Sequence, residues 1–348
     1  MKLTICNNKT TKKQQGLQDE PLTTTKGREC LPAAWRDDLP TDDKAKKLLA
    51  FFKTEFFTWV NEPPCQYCGA VKDKMKCTGV RGPQTQEERV GVASRVEVYQ
   101  CQLCNKETYF PRFNNPRTLM TWRKGRCGEW ANCFCALTVA AGFTTRFVLD
   151  LTDHVWGEIY STEQQRWIHC DPCENAFDAS LMYESGWGKS LSWIFAFESG
   201  GICRDVSRRY SRKWDADMLQ RRINFGSMQL TRILTSRAST RWAESEDMEF
   251  TKCIEETLGK KSKSEAESSS SLLKPEEARG RISGSEEWRR ARGELGDDKK
   301  EFQVRYQTLI ASGKTPNEAA VIALQEMMTE RTNSNNNNNN NNLDKPKE

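Results

Sequence analysis

One short block of the sequence contains a thiol, an imidazole and a carboxylate in an order typical of nucleophilic catalysis. Cys127 lies in Gly-Arg-Cys-Gly-Glu-Trp, His154 in Asp-His-Val-Trp-Gly-Glu, and Asp171 in His-Cys-Asp-Pro. A cysteine can act as a nucleophile, a histidine as its base, and a carboxylate as the group that orients the imidazole. The chain has only two histidines, and both fall in this block. Any Cys–His chemistry must therefore take place here.

Cys127 directly precedes residues 128–141, whose apolar side chains recur at helical spacing. We therefore expect this thiol at the N-terminus of a helix, where exposed N–H groups and the helix dipole favour a thiolate. The alternative is a buried structural cysteine, which we predict for Cys133 and Cys135 because both fall inside the helix. Taken by itself, Cys127 fits either interpretation.

A predicted β-hairpin brings the imidazole and the carboxylate together. Residues 155–160 and 166–170 have strand patterns, and residues 161–165 between them form a polar turn. With the turn centred on residues 162–164, His154 lies directly opposite Asp171. The same register gives two further pairs, Trp156 with His169 and Glu158 with Trp167. A one-residue slip would destroy this arrangement.

His154 is preferred as the base, because His169 lacks an obvious orienting group. In the mechanism that follows, Cys127 attacks a carbonyl carbon after its proton passes to His154, and Asp171 fixes the imidazole tautomer. The oxyanion needs hydrogen-bond donors, for which the backbone N–H of Cys127 and an indole N–H are candidates. Water then hydrolyses the thioester.

Two Cys-x-x-Cys pairs lie upstream and predict a metal site. The residues are Cys65, Cys68, Cys101 and Cys104. Four thiolates in two such pairs are typical of a tetrahedral structural zinc site with no open position, and we expect one zinc ion per chain. The alternatives are unconnected thiols or a redox pair. Residues 69–100 lie between the pairs and could form a hairpin of their own.

Tryptophans are frequent around the predicted active site. Their faces commonly stack on sugar rings, although core packing is the alternative for more than half of them. Trp130 lies on the apolar stripe of the predicted helix and is assigned to the core. Trp156 and Glu158 share the strand face of His154, so they are better candidates for a binding site.

The composition changes several times along the 348 residues. Residues 1–30 are polar and predicted to be disordered, and residues 42–60 are predicted to form a helix capped by Thr41 or Asp42. Residues 255–298 are predicted to be a charged linker. Residues 299–330 are predicted to form short helices, the second opened by the capping box at 315–318. Residues 331–348 are an asparagine-rich tail that cannot bury a core.

The overall composition restricts the compartment and the partners. The net charge of +5 is modest and does not by itself imply nucleic acid. No apolar run approaches the length of a membrane span, and the N-terminus lacks the apolar core of a signal peptide. We therefore expect a cytoplasmic chain, with the nucleus as a further compartment, whose fourteen cysteines are thiols, metal ligands or a nucleophile.

Together these motifs resemble the cytosolic peptide:N-glycanases, which belong to the transglutaminase-like superfamily of papain-type cysteine enzymes. The resemblance covers roughly residues 31–240 and includes the two cysteine pairs. Its other motifs are Gly-Arg-Cys-Gly-Glu-Trp-Ala-Asn at 125–132, Asp-His-Val-Trp-Gly-Glu at 153–158, Trp-Ile-His-Cys-Asp-Pro-Cys-Glu at 167–174 and Tyr-Glu-Ser-Gly-Trp-Gly-Lys at 183–189.

The resemblance implies an α+β fold, a transglutaminase-like and papain-like cysteine enzyme core at residues 31–250. A four-cysteine zinc-binding subdomain is inserted at about 61–115, and the catalytic block lies at about 116–200. The implied reaction cleaves the amide between an N-linked glycan and its asparagine on denatured glycoproteins. Cys127 is then the nucleophile, His154 the base and Asp171 the orienting group. The resemblance also implies four residues that contact the two core N-acetylglucosamines, namely Trp156, Glu158, Glu174 and Trp187. It implies that Trp59 lines the oxyanion site.

The family acts in the clearance of misfolded glycoproteins, with a ubiquitin-like proteasome-shuttle partner of the Rad23 type. The resemblance implies neither nucleic acid nor a membrane as a partner. It does not extend to the N-terminal adaptor domain or to the large C-terminal mannose-binding domain of animal members.

Two other classes of function remain open. A cysteine peptidase or a transglutaminase on the same fold would use the same three catalytic residues, although a transglutaminase would lack the cysteine pairs and the Asp-Pro-Cys-Glu run. A non-enzymatic DNA-binding relative would find its only support in the basic stretch at 204–222. The complete set of catalytic residues argues against that relative.

Overall fold

The computed structural model describes residues 20–198, 203–224 and 273–340, and these form two compact units. The first unit contains residues 20–178, 190–198, 203–224 and 283–285 of the described chain, and the second contains 179–189, 273–282 and 286–340. The predictions for residues 1–19, 225–272 and 341–348 lie outside the described residues.

The helices of the described residues are, in chain order, α1 Glu20–Glu29, α2 Thr41–Phe51, α3 Gln86–Val90, α4 Pro116–Trp122, α5 Cys127–Ala140, α6 Met182–Ser185, α7 Ser207–Tyr210, α8 Ala216–Asn224, α9 Pro275–Ala278, α10 Glu286–Ala291, α11 Asp298–Ala311 and α12 Pro316–Asn340. The strands are β1 Thr58–Trp59, β2 Met75–Arg81, β3 Val96–Cys101, β4 Glu107–Pro111, β5 Lys124–Gly125, β6 Thr145–Asp150, β7 His154–Ser161, β8 Arg166–Asp171, β9 Ala176–Phe177, β10 Ile194–Phe197 and β11 Cys203–Asp205.

The main sheet of the first unit is antiparallel, and its six described strands have the order β11-β10-β6-β7-β8-β9. Helix α5 packs against β6 and β7 of this sheet. The predicted apolar stripe of α5 is confirmed, because Trp130, Phe134, Leu137 and Ala141 are all buried. The helix ends beside Gly142, whose φ of +88° is easily adopted by glycine.

The segment around residue 52 departs from the predicted helix at 42–60. Helix α2 ends at Phe51, a π-helical turn follows at Phe52–Phe56, and Trp59 lies in β1. Pro40 precedes the helix, and no side chain caps it, so the predicted cap is also wrong. Aromatic packing explains the early end, because the ring of Phe52 stacks on Phe57 at 5.3 Å and both rings pack edge-on against Trp130.

The expected disorder of residues 1–30 is wrong for residues 20–29, which form α1. This helix packs against α4 and α5. A Cβ atom on Gly27 would lie 2.4 Å from Cβ of Ala140, so the absence of a side chain permits the close approach of α1 to α5. Tertiary packing of this kind stabilises a helix that has little propensity by itself.

The insert between the cysteine pairs forms its own hairpin, as predicted. Strands β2 and β3 pair antiparallel, and β4 completes a sheet of three strands in this part of the described chain. Helix α3 lies in the connection and begins with a capping box, in which Thr85 and Glu88 each accept a backbone hydrogen bond from the other residue.

The second unit contains α6 and α9 to α12, and two predictions about its sequence are wrong. The predicted linker at 255–298 contains α9 and α10, and α12 continues to Asn340, where a disordered tail is expected from residue 331. The guanidinium of Arg305 on α11 donates to Glu301 at 3.0 Å and to Glu330 at 2.8 Å, which joins α11 to α12. The predicted capping box of α12, between Thr315 and Glu318, is present.

Candidate active site

His154 and Asp171 form a buried pair at the ends of adjacent strands. Nε2 of His154 lies 2.7 Å from Oδ2 of Asp171, and neither side chain is exposed. The backbone N–H of Cys173 donates to Oδ1 of Asp171 at 2.8 Å, which holds the carboxylate in place. Asp171 is therefore suited to fix the orientation and the tautomer of the imidazole.

The hairpin that supports this pair has a different register from the predicted one. Glu158 lies opposite His169 and Gly157 opposite Cys170, so the predicted pairing was wrong by two residues. The turn occupies residues 162–165 and is closed by the pair Ser161–Arg166. A shift of two keeps every side chain on its predicted face. His154 and Asp171 thus meet diagonally across the strands and not directly opposite each other.

Cys127 is the first residue of α5 and is partly buried. The backbone N–H groups at the start of a helix have no intrahelical acceptor, and they favour negative charge there. Two residues before Cys127, Gly125 lies in β5 and pairs in parallel with Trp59 of β1. The structure therefore brings Trp59 close in space to the chain that enters α5.

Trp59 is partly exposed, and its indole Nε1 donates to Oδ1 of Asn61 at 2.8 Å. Its ring lies 6.2 Å from that of Trp130. Among the five residues that the resemblance assigns to substrate or oxyanion contacts, Trp59 alone is not fully or almost fully buried.

Glu158 is fully buried and surrounded by cationic and hydroxyl groups. Arg146 donates to its Oε2, while Arg209 donates to Oε1 at 3.1 Å and the hydroxyl of Tyr210 donates to the same oxygen. Burial acts to raise the pKa of Glu158, but Arg209 and Arg146 outweigh it and the pKa is lowered. Glu158 is thus an ionised carboxylate held by protein groups.

None of these three partners was predicted from the sequence. Arg146 lies opposite Glu158 in the pairing of β6 with β7, so a cross-strand pair of opposite charges was a usable signal. Arg209 and Tyr210 lie in a distant segment that no local pattern connects to the hairpin.

Trp156 lies between the two histidines on the same face of the sheet. Its ring is 5.7 Å from that of His154, 6.0 Å from that of His169 and 4.8 Å from that of Tyr210, and its Nε1 donates to the hydroxyl of Tyr210 at 2.8 Å. Burial lowers the pKa of His169 to about 4, so this second imidazole is neutral near pH 7.

The two remaining predicted substrate residues are also buried. Oε1 of Glu174 accepts a hydrogen bond from the backbone N–H of Ser283 at 3.1 Å. Trp187 belongs to the second unit, where Tyr183 packs edge-on against it at 5.0 Å and the guanidinium of Arg281 lies 4.6 Å from its centroid.

The four paired cysteines converge as predicted. Their Sγ atoms all lie within 4.8 Å of one another, and those of Cys65 and Cys104, like those of Cys68 and Cys101, are 3.5 Å apart. Zinc bound to four sulfurs at about 2.3 Å would separate neighbouring sulfurs by about 3.8 Å. The cluster is therefore able to hold a metal ion in tetrahedral coordination.

Comparison with known proteins identifies the family. A relative from Yarrowia lipolytica, a peptide-N(4)-(N-acetyl-beta-glucosaminyl)asparagine amidase, is 41% identical over 257 residues, which cover 72% of this chain and 69% of the relative. The relative of that name from Caenorhabditis elegans is 42% identical over 271 residues, or 74% of this chain and 43% of the relative. This chain belongs to the peptide-N(4)-(N-acetyl-beta-glucosaminyl)asparagine amidase family.

Two family models agree with the amidase assignment at the level of the domain. The transglutaminase-like superfamily model matches residues 75–172, which include Cys127, His154 and Asp171. The Rad4 transglutaminase-like domain model matches residues 150–270. Both describe a transglutaminase-like domain, in agreement with the predicted fold class.

The matched amidases are mostly longer than this chain, which spans less than half of the Caenorhabditis elegans relative. A solved Rad4–Rad23 complex bound to a 6-4 photoproduct UV lesion is 16% identical, with a TM-score of 0.38, over 67% of this chain and 53% of that chain. A likeness this low supports no conclusion about a partner or about DNA. Among residues 20–198, 203–224 and 273–340, no helix has the length and the apolar character needed to cross a membrane.

Proposed function

We propose that this chain is a cysteine amidase that cleaves the bond between an N-linked glycan and its asparagine in denatured glycoproteins. The observation that carries the proposal is the buried hydrogen bond between His154 and Asp171, on a sheet packed against the helix that begins with Cys127. Membership of the amidase family supplies the class of substrate.

The catalytic roles follow from which imidazole nitrogen is engaged. Because Nε2 of His154 is directed at Asp171, Nδ1 is the nitrogen that takes the thiol proton of Cys127. The thiolate attacks the side-chain carbonyl carbon of the glycosylated asparagine. The imidazolium then returns the proton to the departing nitrogen, and the glycan leaves as a glycosylamine. A thioester between Cys127 and the substrate remains.

Water completes the reaction with the same residues in reversed roles. His154 removes a proton from water, the hydroxide attacks the thioester, and the thiol of Cys127 is restored as the asparagine becomes aspartate. The backbone N–H of Cys127 is the first oxyanion donor, and the indole of Trp59 supplies a second after exchanging its bond to Asn61.

The buried residues around His154 are proposed to support the sugar site and not to stack on the sugars. Trp156 and Glu158 are fully buried and hydrogen-bonded to protein groups, as is Glu174. They hold the sheet surface under the substrate. Direct contact of Trp187 with sugar remains a prediction of the family resemblance.

The cysteine cluster is proposed to hold one structural Zn²⁺. Its four sulfurs fill a tetrahedron, so no coordination position is left for substrate or water. The ion would stabilise the sheet that carries Cys101 and take no part in the amide cleavage.

The proposal extends to the cellular role that the resemblance implies. We propose a cytoplasmic enzyme, with the nucleus as a further compartment, that meets misfolded glycoproteins beside a shuttle partner of the Rad23 type. Co-purification of the full chain with such a partner at micromolar concentration would support this part, and failure to bind would remove it without affecting the amidase proposal.

The reaction class is tested with a denatured glycopeptide of known sequence. The amidase proposal predicts loss of the whole glycan, an intact peptide backbone and aspartate in place of asparagine, all measured by mass spectrometry. Cleavage of the backbone would favour a cysteine peptidase, and transfer of a glutamine side chain to an added amine would favour a transglutaminase. No reaction by folded, metal-loaded protein would exclude all three enzymes.

A further inference from the structure

Arg126, the residue directly before Cys127, joins three separate segments of the first unit. Its Nε donates to the carbonyl of Val60 at 3.1 Å, and its Nη2 donates to the carbonyl of Asn61 at 2.7 Å. The same guanidinium forms a bidentate pair with Glu97 of β3, at 3.1 Å and 2.8 Å. A planar fork with several donors is required to make these contacts together.

Glu97 is buried and receives more than one cation. Arg112 donates to its Oε1 at 2.9 Å, in addition to Arg126. Burial acts to raise the pKa of Glu97, but Arg126 and Arg112 outweigh it and lower the pKa to about 2. The carboxylate is therefore ionised near neutral pH.

A second carboxylate closes the arrangement at the start of α5. Arg112 donates to both oxygens of Glu129, at 2.7 Å and 2.8 Å, and Glu129 accepts the backbone N–H of Arg126 at 3.0 Å. Arg126 is thus held through its side chain by Glu97 and through its backbone by Glu129.

Tyr99 extends the arrangement to the cysteine cluster. Its hydroxyl donates to Glu97 at 3.0 Å and accepts from Nη2 of Arg126 at 3.0 Å. Its ring packs in a small core that also contains Cys65 and Cys101. A continuous series of contacts therefore leads from the metal-binding cysteines to the residue that precedes Cys127.

We infer that Arg126 and Tyr99 are positioning residues that fix the start of α5 relative to the four-cysteine subdomain and thereby place the thiol of Cys127. The inference rests on the proposed role of Cys127 as the nucleophile. It also gives the subdomain a role in catalysis that needs no contact between metal and substrate.

The competing explanation is that these contacts only stabilise the fold. Two variants separate the explanations, because both keep the charge of the site. Arg126→Lys keeps the cation but loses the fork, and Tyr99→Phe removes only the hydroxyl. Each has a matched control: Arg95→Lys alters a half-exposed cation 3.5 Å from the same Glu97, and Tyr109→Phe removes an exposed hydroxyl from the same sheet.

Two quantities are measured on metal-loaded, folded protein. The first is kcat and KM for the denatured glycopeptide. The second is the pH dependence of alkylation of Cys127 by iodoacetamide, followed on its own peptide by mass spectrometry. Tyr99→Phe removes no charged group, so a shifted alkylation midpoint in this variant reports a displaced thiol and not the loss of a nearby charge.

We expect both variants to lower kcat by about 10-fold or more, while KM stays within about twofold and the controls match wild type. The alkylation midpoint should move toward the free-thiol value of about 8.5 as Cys127 loses its imidazole partner. The inference would be overturned if both variants kept the kcat and the alkylation midpoint of wild type. It would also be overturned if the control variants showed equal effects, or if Arg126→Lys and Tyr99→Phe lowered only the thermal stability. If Arg126→Lys does not fold, Tyr99→Phe decides. If wild-type protein releases no glycan, the proposed function is wrong. The alkylation profiles then still show whether Arg126 and Tyr99 position the thiol of Cys127.

Discussion

At the scale of single residues, the two histidines differ in their partners more than in their burial. Both are almost completely buried, but Asp171 lies within hydrogen-bond distance of His154 Nε2. Burial holds the pKa of His169 at about 4, which makes it a poor base near neutral pH. His154 was predicted as the base because the sequence shows no obvious orienting group for His169, and the distance from His154 to Asp171 supports this prediction.

Replacing Asp171 by asparagine tests that difference. Asp171→Asn keeps the size of the side chain but cannot stabilise the imidazolium, and it permits the wrong tautomer. We expect kcat to fall by about 10²- to 10⁴-fold with little change in KM, measured with a denatured glycopeptide. Asp178→Asn, which removes an ion pair with Arg166 in the same sheet region, should retain most activity. Equal activity of the two variants would contradict the role of Asp171.

Glu88 gives a prediction about acid stability. Hydrogen bonds from Arg81 lower the pKa of Glu88 to about 2 from its ordinary value of 4.5. Between these values the unfolded chain binds more protons, so the stabilisation is complete above about pH 4.5 and is lost as the pH falls toward 2. We expect Glu88→Gln to lower the free energy of unfolding by about 1 kcal/mol at pH 6.

That difference should shrink steadily as the pH is lowered to 3. Urea unfolding of wild type and variant, compared at each pH with equal metal loading, measures it. A difference that stays constant with pH would mean that Glu88 does not titrate with a lowered pKa.

At the scale of elements, the hairpin of β7 and β8 was predicted from the sequence in its strands but not in its register. Alternation predicted both strands and the correct face for His154, because strand period depends only on local pattern. The register was wrong by two residues, because it depends on how the turn at 162–165 closes. Aromatic packing against Trp130 ended α2 early, and the tertiary contacts of Arg209 with Glu158 had no local signal at all.

The entrance to α5 offers a prediction about an element. A Cβ atom at Gly125 would lie 2.4 Å from Cβ of Glu129, the residue that accepts the Arg126 N–H. Gly125→Ala should therefore displace the start of α5, destabilise the protein by about 1–3 kcal/mol and lower kcat by about 100-fold. Thermal unfolding and glycopeptide kinetics measure these effects.

Gly82→Ala is the control, because no atom lies within 4 Å of the position that its Cβ would occupy. It should match wild type in both measurements. If Gly125→Ala also matched wild type, the start of α5 would be more tolerant than the contacts with Glu129 indicate.

At the scale of the whole molecule, the chain divides differently from the sequence prediction. Residues 179–189 belong to the second unit although they lie inside the predicted catalytic block. Composition does not change at residue 179, so no sequence signal marked the division. The cysteine pairs, by contrast, were fully predictable, because ligand type and spacing by themselves define such a cluster.

Metal removal tests the contribution of that cluster. Cys101→Ala should lose the bound metal, lower the midpoint of thermal unfolding by several degrees and abolish most activity, because a structural metal supplies folding free energy. Cys77→Ser changes an exposed cysteine outside the cluster and should retain one metal ion per chain. Elemental analysis and calorimetry provide the readouts. Full stability of metal-free Cys101→Ala would contradict a structural role.

The role of Cys127 as the nucleophile of an amidase is tested most directly by the mass of a denatured glycopeptide after incubation in water enriched in the heavy isotope of oxygen. We expect wild-type protein to release the whole glycan and to leave aspartate carrying one heavy oxygen atom from water. Cys127→Ala should leave the glycopeptide unchanged. Glycan release by Cys127→Ala, or glycan loss with asparagine retained, would contradict the thioester mechanism and the assignment of Cys127 as its nucleophile.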